Sequence, residues 1–198
     1  MAQVKKQEVR DALLGGAYAL FCKKGYSRTS VADIAREAGV SASNVYVYYG
    51  SKLELLYALY DPWLRGKLTE LERELAGIDD PRARLRRLFE RLWRDIPQED
   101  DGFANNLMQA LSTAGEDEGY SRDLLRWAED RVSDMMRDCL PPERRRLVDH
   151  SYLAHVLFMA FDGFAMNAAL RGPSRRIEGV IDTTVDLLLG EPAPTVGD

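Results

Sequence analysis

Apolar residues recur at intervals of three and four along almost the whole chain, and no stretch alternates with the two-residue period of a half-buried strand. The pattern predicts an all-α protein. Near the N-terminus the periodic segments are short and sharply punctuated. Ser30 and Asp33 have close to the spacing of a capping box, which starts a helix at Val31. Ala32, Ile34, Ala35 and Ala38 give that helix a small apolar side, and Gly39 can take the positive φ that ends it. Ser41 caps a second short helix, whose buried stripe is Val45 and Tyr49. Its other face carries Ser41, Ala42, Ser43, Asn44, Tyr46 and Tyr48, small or hydrogen-bonding groups able to approach a base edge or a phosphate. Ser51 and Glu54 form a second capping box, which opens a third helix with Lys52 in its first turn. A cation there opposes the helix dipole and calls for an anionic partner; a DNA phosphate, also bound by the N-terminal amides, would supply it. Two short helices around a tight turn, followed at once by a third, have the layout of a helix-turn-helix DNA reader.

Downstream the periodic segments lengthen. Leu53, Leu56, Tyr57, Tyr60, Trp63, Leu64, Leu68 and Leu71 trace one long helix out of the reader. Asp79-Asp80-Pro81 opens the next, with a stripe of Leu85, Leu88, Phe89, Leu92, Trp93 and Ile96. Arg82, Arg84, Arg86, Arg87, Arg91 and Arg94 lie mostly off that stripe and read as a solvated face rather than a second nucleic-acid patch. A shorter helix spans Phe103 to Thr113, and another is marked by Leu125, Ala128, Val132, Met135 and Cys139 before Pro141-Pro142 ends it. Loops are expected at 97–101 and 114–119. The segment from Tyr152 to Leu170 is apolar on nearly every side and must be covered on opposite faces. A last helix follows, and one chain holds too few helices to cover both. The last two helices are therefore expected to pair with their symmetry mates in a four-helix interface, with Phe161, Phe164, Ala168, Val180, Ile181, Thr184, Val185 and Leu188 at the contact. The domain reading is a reader over 1–52, a helical ligand-binding and dimerisation domain over 53–190, and a frayed tail over 191–198.

Charge alters the picture only through its distribution. The 198-residue chain carries a net charge of −5, which alone argues against nucleic acid. Residues 1–52 hold eight Lys or Arg against four acids, a net +4, leaving −9 on the remainder. A basic head on an acidic body turns the molecule toward a polyanion. The longest purely apolar run, Val156 to Phe161, is far short of a membrane span, and the polar N-terminus lacks a signal-peptide core, so a cytoplasmic location is expected. Cys22 and Cys139 each fall on the apolar side of a helical pattern and read as buried thiols, with no metal or other cofactor implied. Enzyme chemistry has little to work with: two histidines, no Gly-flanked Ser nucleophile, no phosphate loop and no metal-spaced cluster.

The stretch from Val9 to Leu56 resembles the DNA-binding domain of the TetR family of bacterial transcriptional regulators. The likeness is carried by Ala19-Leu-Phe21, Gly25-Tyr26, Thr29-Ser30, Ile34-Ala35, Ala38-Gly-Val-Ser41, Tyr46, Tyr49 and Ser51-Lys52, and farther on by Asp162-Gly163. The resemblance implies a homodimer on a palindromic operator, usually repressing, and release by a small effector bound in the C-terminal domain. Thr29, Tyr46 and Lys52 are then the expected backbone contacts, with Ser41, Ser43, Asn44 and Tyr48 facing the groove and Arg28 a further DNA-binding residue. Asn44 is the strongest base reader, because a carboxamide bonds adenine through two atoms. Two departures stand out. Gly15-Gly16 replaces small helix formers at a cost of about 1 kcal/mol each, and Tyr49 stands where Phe is common.

An effector pocket is expected among Trp63, Phe89, Trp93, Phe103, Leu107, Met108, Trp127, Met135, Phe158, Met159 and Phe161, with Asn105, Asn106, Gln109, His155, Asp162 and Asn167 as polar candidates. Such a set suits a small apolar or amphipathic molecule. Two readings stand for His155 and Asp162, a structural hydrogen-bonding role or a place on a shared cavity. A DNA-binding protein of the same fold that answers to no effector is the alternative function.

Overall fold

The computed structural model describes residues 2–99, 101–113, 122–150, 152–172 and 174–190. The expected loop at 114–119 and tail at 191–198 lie outside them. Among the described residues there are ten α-helices and no strands: α1 (Ala2–Lys24), α2 (Val31–Glu37), α3 (Ala42–Tyr48), α4 (Lys52–Ala76), α5 (Pro81–Glu90), α6 (Ile96–Gln98), α7 (Phe103–Thr113), α8 (Asp123–Arg137), α9 (Tyr152–Arg171) and α10 (Ile177–Leu189). A wide π-helical turn, Arg91–Asp95, joins α5 to α6. No helix among the described residues is long and apolar enough to cross a membrane.

The chain divides into two compact units. The first comprises residues 1–64 and 101–122, the second 65–100 and 123–198. The unit that holds the reader therefore runs past the expected limit at residue 52. It takes in the first half of α4 and all of α7, which sequence distance assigned to the other domain. The division falls inside α4, two residues after Pro62, whose missing N–H interrupts the helix's hydrogen bonding.

In the first unit the caps form as their residues dictate. Ser30 accepts the Asp33 N–H while the Asp33 carboxylate accepts the Ser30 N–H, a complete capping box. Lys24 and Ser30 hold the Asp33 carboxyl well below the usual carboxylate range. Gly39 ends α2 at φ +69. Ser51 accepts the Glu54 N–H at 3.0 Å, but the Glu54 carboxylate reaches back one residue farther than expected, to the Gly50 N–H. Leu13, Ala17, Phe21, Ile34, Ala35, Val45, Tyr49, Leu53 and Leu56 make the core. The two departures in this region have different consequences. A Cβ on Gly16 would lie 3.3 Å from the Glu37 side chain, so that glycine lets α1 approach α2 closely, whereas a Cβ on Gly15 meets nothing within 4 Å. Tyr49 is buried with Arg10 5.8 Å from its ring, and burial pushes its phenol up. Cys22, expected inside, is exposed near the end of α1, with Sγ 3.7 Å from the Asp101 carbonyl oxygen. Cys139, in the second unit, is buried as expected, and its thiol is pushed up to about 11 by that burial.

The second unit overturns the solvated reading of the arginine face. The apolar stripe of α5 and the π-helical turn is buried, but its arginines are largely engaged with acids on neighbouring helices. Arg82 pairs with the buried Asp186, Arg86 with Asp182 and Glu178, and Arg94 with Glu178 at 2.7 Å, all toward α10. Toward α4, Arg87 pairs with Glu74, while Arg91 and Lys67 converge on Glu99 at 2.9 and 2.7 Å. Hydrogen bonds from Lys67 and Arg94 hold the Glu99 and Glu178 carboxyls below their ordinary range. The unit is thus zipped by ions on one side of α5 and by hydrocarbon on the other.

The expected dimer residues are also redistributed. Phe161, Ile181, Val185 and Leu188 are core residues of the single chain, each no more than 6% exposed. Phe164, Ala168 and Thr184 are half-buried and Val180 is exposed. The open apolar stripe of α9 is instead Tyr152, Val156, Met159 and Met166, spaced four, three and seven apart, and on α10 it is Val180 and Leu187. The inward face of α9 is satisfied by this chain's own helices, so the uncovered face lies half a turn away from the residues that a purely apolar segment suggested.

Gly15→Ala is expected to raise the unfolding free energy by about 0.5–1 kcal/mol, since the site is helical, exposed and open. Chemical denaturation checks it, and a Gly16→Ala variant should gain less or lose stability because Glu37 must shift.

Candidate nucleic-acid interface

Helix α3 is held by two side chains: of residues 41–49, Val45 and Tyr49 are buried at 1% and 5% exposure. Ser41, Ala42, Ser43, Asn44, Tyr46 and Val47 are exposed and Tyr48 is half-buried. Val47, at 76% exposure, is a surface residue that the sequence reading passed over, because a β-branched apolar side chain looks like core. Helical period supplied the missed signal: Val47 lies on the side opposite Val45 and Tyr49. A methyl-bearing side chain there is suited to the 5-methyl group of thymine. The Ser41 hydroxyl caps Asn44 N–H at 3.3 Å and lies 2.9 Å from the Ser43 hydroxyl. Among the described residues, no group pairs with the Asn44 carboxamide.

Two expected phosphate contacts have other roles. Thr29 is 1% exposed, and its hydroxyl donates to the Gly25 carbonyl at 2.8 Å, so it closes the turn before α2 and does not face solvent. Lys52 donates to the carbonyls of Tyr26 and Thr29 at 3.0 and 2.9 Å and sits 3.9 Å from the centre of the Tyr26 ring. The anionic partner that its helix position calls for is met by carbonyl dipoles and an aromatic face. Arg28 is exposed, with Nε donating to the Lys24 carbonyl at 2.8 Å. Tyr46, 58% exposed, keeps an outward phenol.

The expected pocket residues separate between the units. In the first, Trp63 and Phe103 pack with Tyr60, ring centres 5.4–5.9 Å apart, and Met108 is half-buried. Asn106 is buried, and its carboxamide is engaged: Oδ1 accepts the Tyr26 N–H at 2.6 Å, while Nδ2 donates to the Gly102 and Phe21 carbonyls. It holds structure and leaves the pocket set. In the second, Phe89 stacks on Trp93 at 4.8 Å, Trp93 donates to the Leu157 carbonyl, and Phe158 meets Phe161. Trp127 lies half-buried with the Arg65 guanidinium 4.3 Å from its ring centre. His155 is half exposed, its Nδ1 2.6 Å from a Glu129 oxygen, and Met159 is exposed; both leave the pocket set. Asp162 is half-buried, and desolvation pushes its carboxyl up to about 6.

Residues 13–59 match the family model for bacterial regulatory proteins of the tetR family. The full fold matches the TetR-family regulator PfmR from Thermus thermophilus, at 26% identity and TM-score 0.58, over 90% of this chain and 97% of that one. Residues 13–59 form a TetR-family domain, and the fold around them is that of a TetR-family regulator. The HTH-type transcriptional regulator HbdR of Aromatoleum sp. (strain CIB) is 34% identical over 79 residues, 40% of this chain. That match spans about a third of HbdR, 34% of its length. Thermus thermophilus FadR, a TetR-family repressor solved with lauroyl-CoA, shares the fold at TM-score 0.61 and 24% identity, over 96% of this chain and 100% of that one. The matched segment is the helix-turn-helix with its supporting α1 and the start of α4.

Lys52→Met is expected to lower stability by about 1–2 kcal/mol, because two backbone carbonyls lose a charged donor; a melting curve checks it, and an unchanged transition would return Lys52 to the DNA contacts. Asp162 acts in the opposite sense to the ion-paired acids. Its raised value means that the folded chain binds the proton more tightly than the unfolded chain. Its contribution is therefore fully present below about pH 4 and is lost as pH rises through about 6. Asp162→Asn should stabilise the protein by up to about 3 kcal/mol at pH 7.5 and have little effect below pH 4, as read by denaturation at the two pH values.

Proposed function

We propose that the protein is a sequence-specific DNA-binding transcriptional regulator, a repressor that acts as a homodimer on a palindromic operator. The observation that carries this reading is α3: a helix of the TetR-type reader that buries two residues and turns hydroxyls, an unpaired carboxamide and a methyl-bearing side chain outward. Asn44 and Val47 read bases, Tyr46 and Arg28 take backbone phosphates, and the exposed Ser43 beside them supplies a further donor. The net positive charge of residues 1–52 adds a salt-dependent attraction common to all sequences. Half-sites would lie about 34–36 Å apart, or a multiple of that, on a two-fold axis.

The uncovered stripes of α9 and α10 support dimerisation. Tyr152 and Val156, one turn apart on α9, are 77% and 61% exposed, and Leu187 on α10 is 67% exposed, apolar surface of the kind that marks an interface. A second copy related by a two-fold axis would cover the same face on both. A small apolar or amphipathic effector in the second unit completes the reading; the lauroyl-CoA held by the fold's relative has that character. Phe89, Trp93, Phe158 and Asp162 are the residues retained for it. Its leverage equals the difference in its affinity for the DNA-competent and released states, about 1–3 kcal/mol in typical cases. Helix α4 contributes residues to both units and is one of the stretches by which the chain passes from one to the other.

Selection of random duplex DNA at about 150 mM salt tests the reading. One palindromic motif should emerge, and Asn44→Ala should relax it at one position per half-site, by about 1–3 kcal/mol of discrimination. Enrichment without a palindrome would sink the dimeric operator. Val156→Arg with Leu187→Glu should convert the dimer to monomer in sedimentation while the helical signal persists; a dimer that survives both would place the interface elsewhere.

A further inference from the structure

The turn between α1 and α2 carries the position of the reader, and its backbone is held by side chains from α7. Tyr26 N–H donates to Asn106 Oδ1 at 2.6 Å, and Ser27 N–H donates to Gln109 Oε1 at 3.0 Å. Asn106 Nδ2 donates in return to the Phe21 carbonyl near the end of α1 and to the Gly102 carbonyl at the start of α7. Gly25 gives these carboxamides their approach: it holds φ +80, and a Cβ there would lie 3.3 Å from Gln109 Oε1. The segment leading into α7 adds a further link, the Tyr18 phenol donating to Asp101 at 2.7 Å. Of the α7 residues facing this turn, Asn106 is 4% exposed, so its bonds form out of reach of competing water.

The geometry points to Asn106 and Gln109 as positioning residues for DNA recognition: a two-carboxamide clamp by which α7 sets where α2 and α3 stand. They touch no base. They act through the main chain of Tyr26 and Ser27, one residue before Arg28 and three before the cap of α2. Placing α7 in the reader's unit, far from it in sequence, gives the clamp its role: α7 is part of the reader. Displacing α7 by about one hydrogen-bond length releases both amides and frees the turn. This inference rests on the DNA-binding reading above for its consequence, though the clamp itself does not.

Amide hydrogen exchange and duplex binding, measured on the full chain with the selected duplex, test it. Gln109 is half-buried, so Gln109→Met should fold, while losing the acceptor for Ser27 N–H. Exchange at Ser27 is expected to quicken about tenfold and duplex affinity to fall about five- to tenfold. The slope of log affinity against log salt should stay at the wild-type value, because no phosphate contact is removed. Gln109→Glu retains the acceptor and should restore slow exchange. Ser112→Ala, whose exposed hydroxyl donates only within α7, should change neither readout. Faster exchange with unchanged affinity would overturn the positioning role, as would a reduced salt slope, which marks a direct phosphate contact. Unchanged exchange in Gln109→Met would refute the clamp whether or not the wild-type chain binds DNA. A wild-type chain that enriches no duplex would instead count against the DNA-binding reading, with exchange still deciding the clamp.

Discussion

Five residues, Gly25 to Thr29, impose the constraint on which the first unit depends: the buried parts of this turn, at Tyr26 and Thr29, must place their backbone donors and acceptors. No regular ladder serves it. Gly25 N–H returns to Phe21, Thr29 N–H closes on Tyr26, and the Thr29 hydroxyl takes the Gly25 carbonyl. The Tyr26 and Ser27 N–H groups and the Tyr26 and Thr29 carbonyls are met from outside the turn, by Asn106 and Gln109 of α7 and by Lys52 of α4. Helices distant in sequence therefore meet at one short turn, and the two short helices beyond it inherit their placement. Helices of seven residues are too short to persist alone in water, so α2 and α3 owe their existence to this support.

The second unit solves a different problem with charge. Its arginines are drawn into pairs with α4 and α10, and desolvation is modest because most of these side chains keep some contact with solvent. Individually such pairs contribute little, but here they form a network in which several acids are shared, with Glu74 meeting both Arg87 and Arg91. An arginine bound in this way presents less free positive charge to a polyanion. Each pair withdraws an acid along with an arginine, so the net difference between the acidic body and the basic reader stays as the charge counts give it.

Much of this was legible in the sequence. The caps of α2 and α3, the glycine between them and the stripe of Val45 and Tyr49 follow from local rules, because each depends on residues within four positions of one another. What escaped depends on contacts between distant segments. Lys52 and Thr29 looked like phosphate ligands because the residue types fit, and nothing local reveals that the carbonyls of a turn 23 and 26 residues away would claim the ammonium. Asn106 looked like a polar pocket residue for the same reason, although its partner lies 80 residues back. In α9 the error has another origin: a helix apolar on all sides has no periodic signal to say which face the chain itself will cover.

The sparse anchoring of α3 bears on how this protein could change. Two inward side chains hold the helix, so most of its outward positions can vary with little penalty to folding. Recognition is in that sense written on a replaceable surface. A descendant could acquire a new target site through a few substitutions on α3 while its core, its turn and its acidic body stayed as they are, and the older site could be lost without an unfolded intermediate along the way.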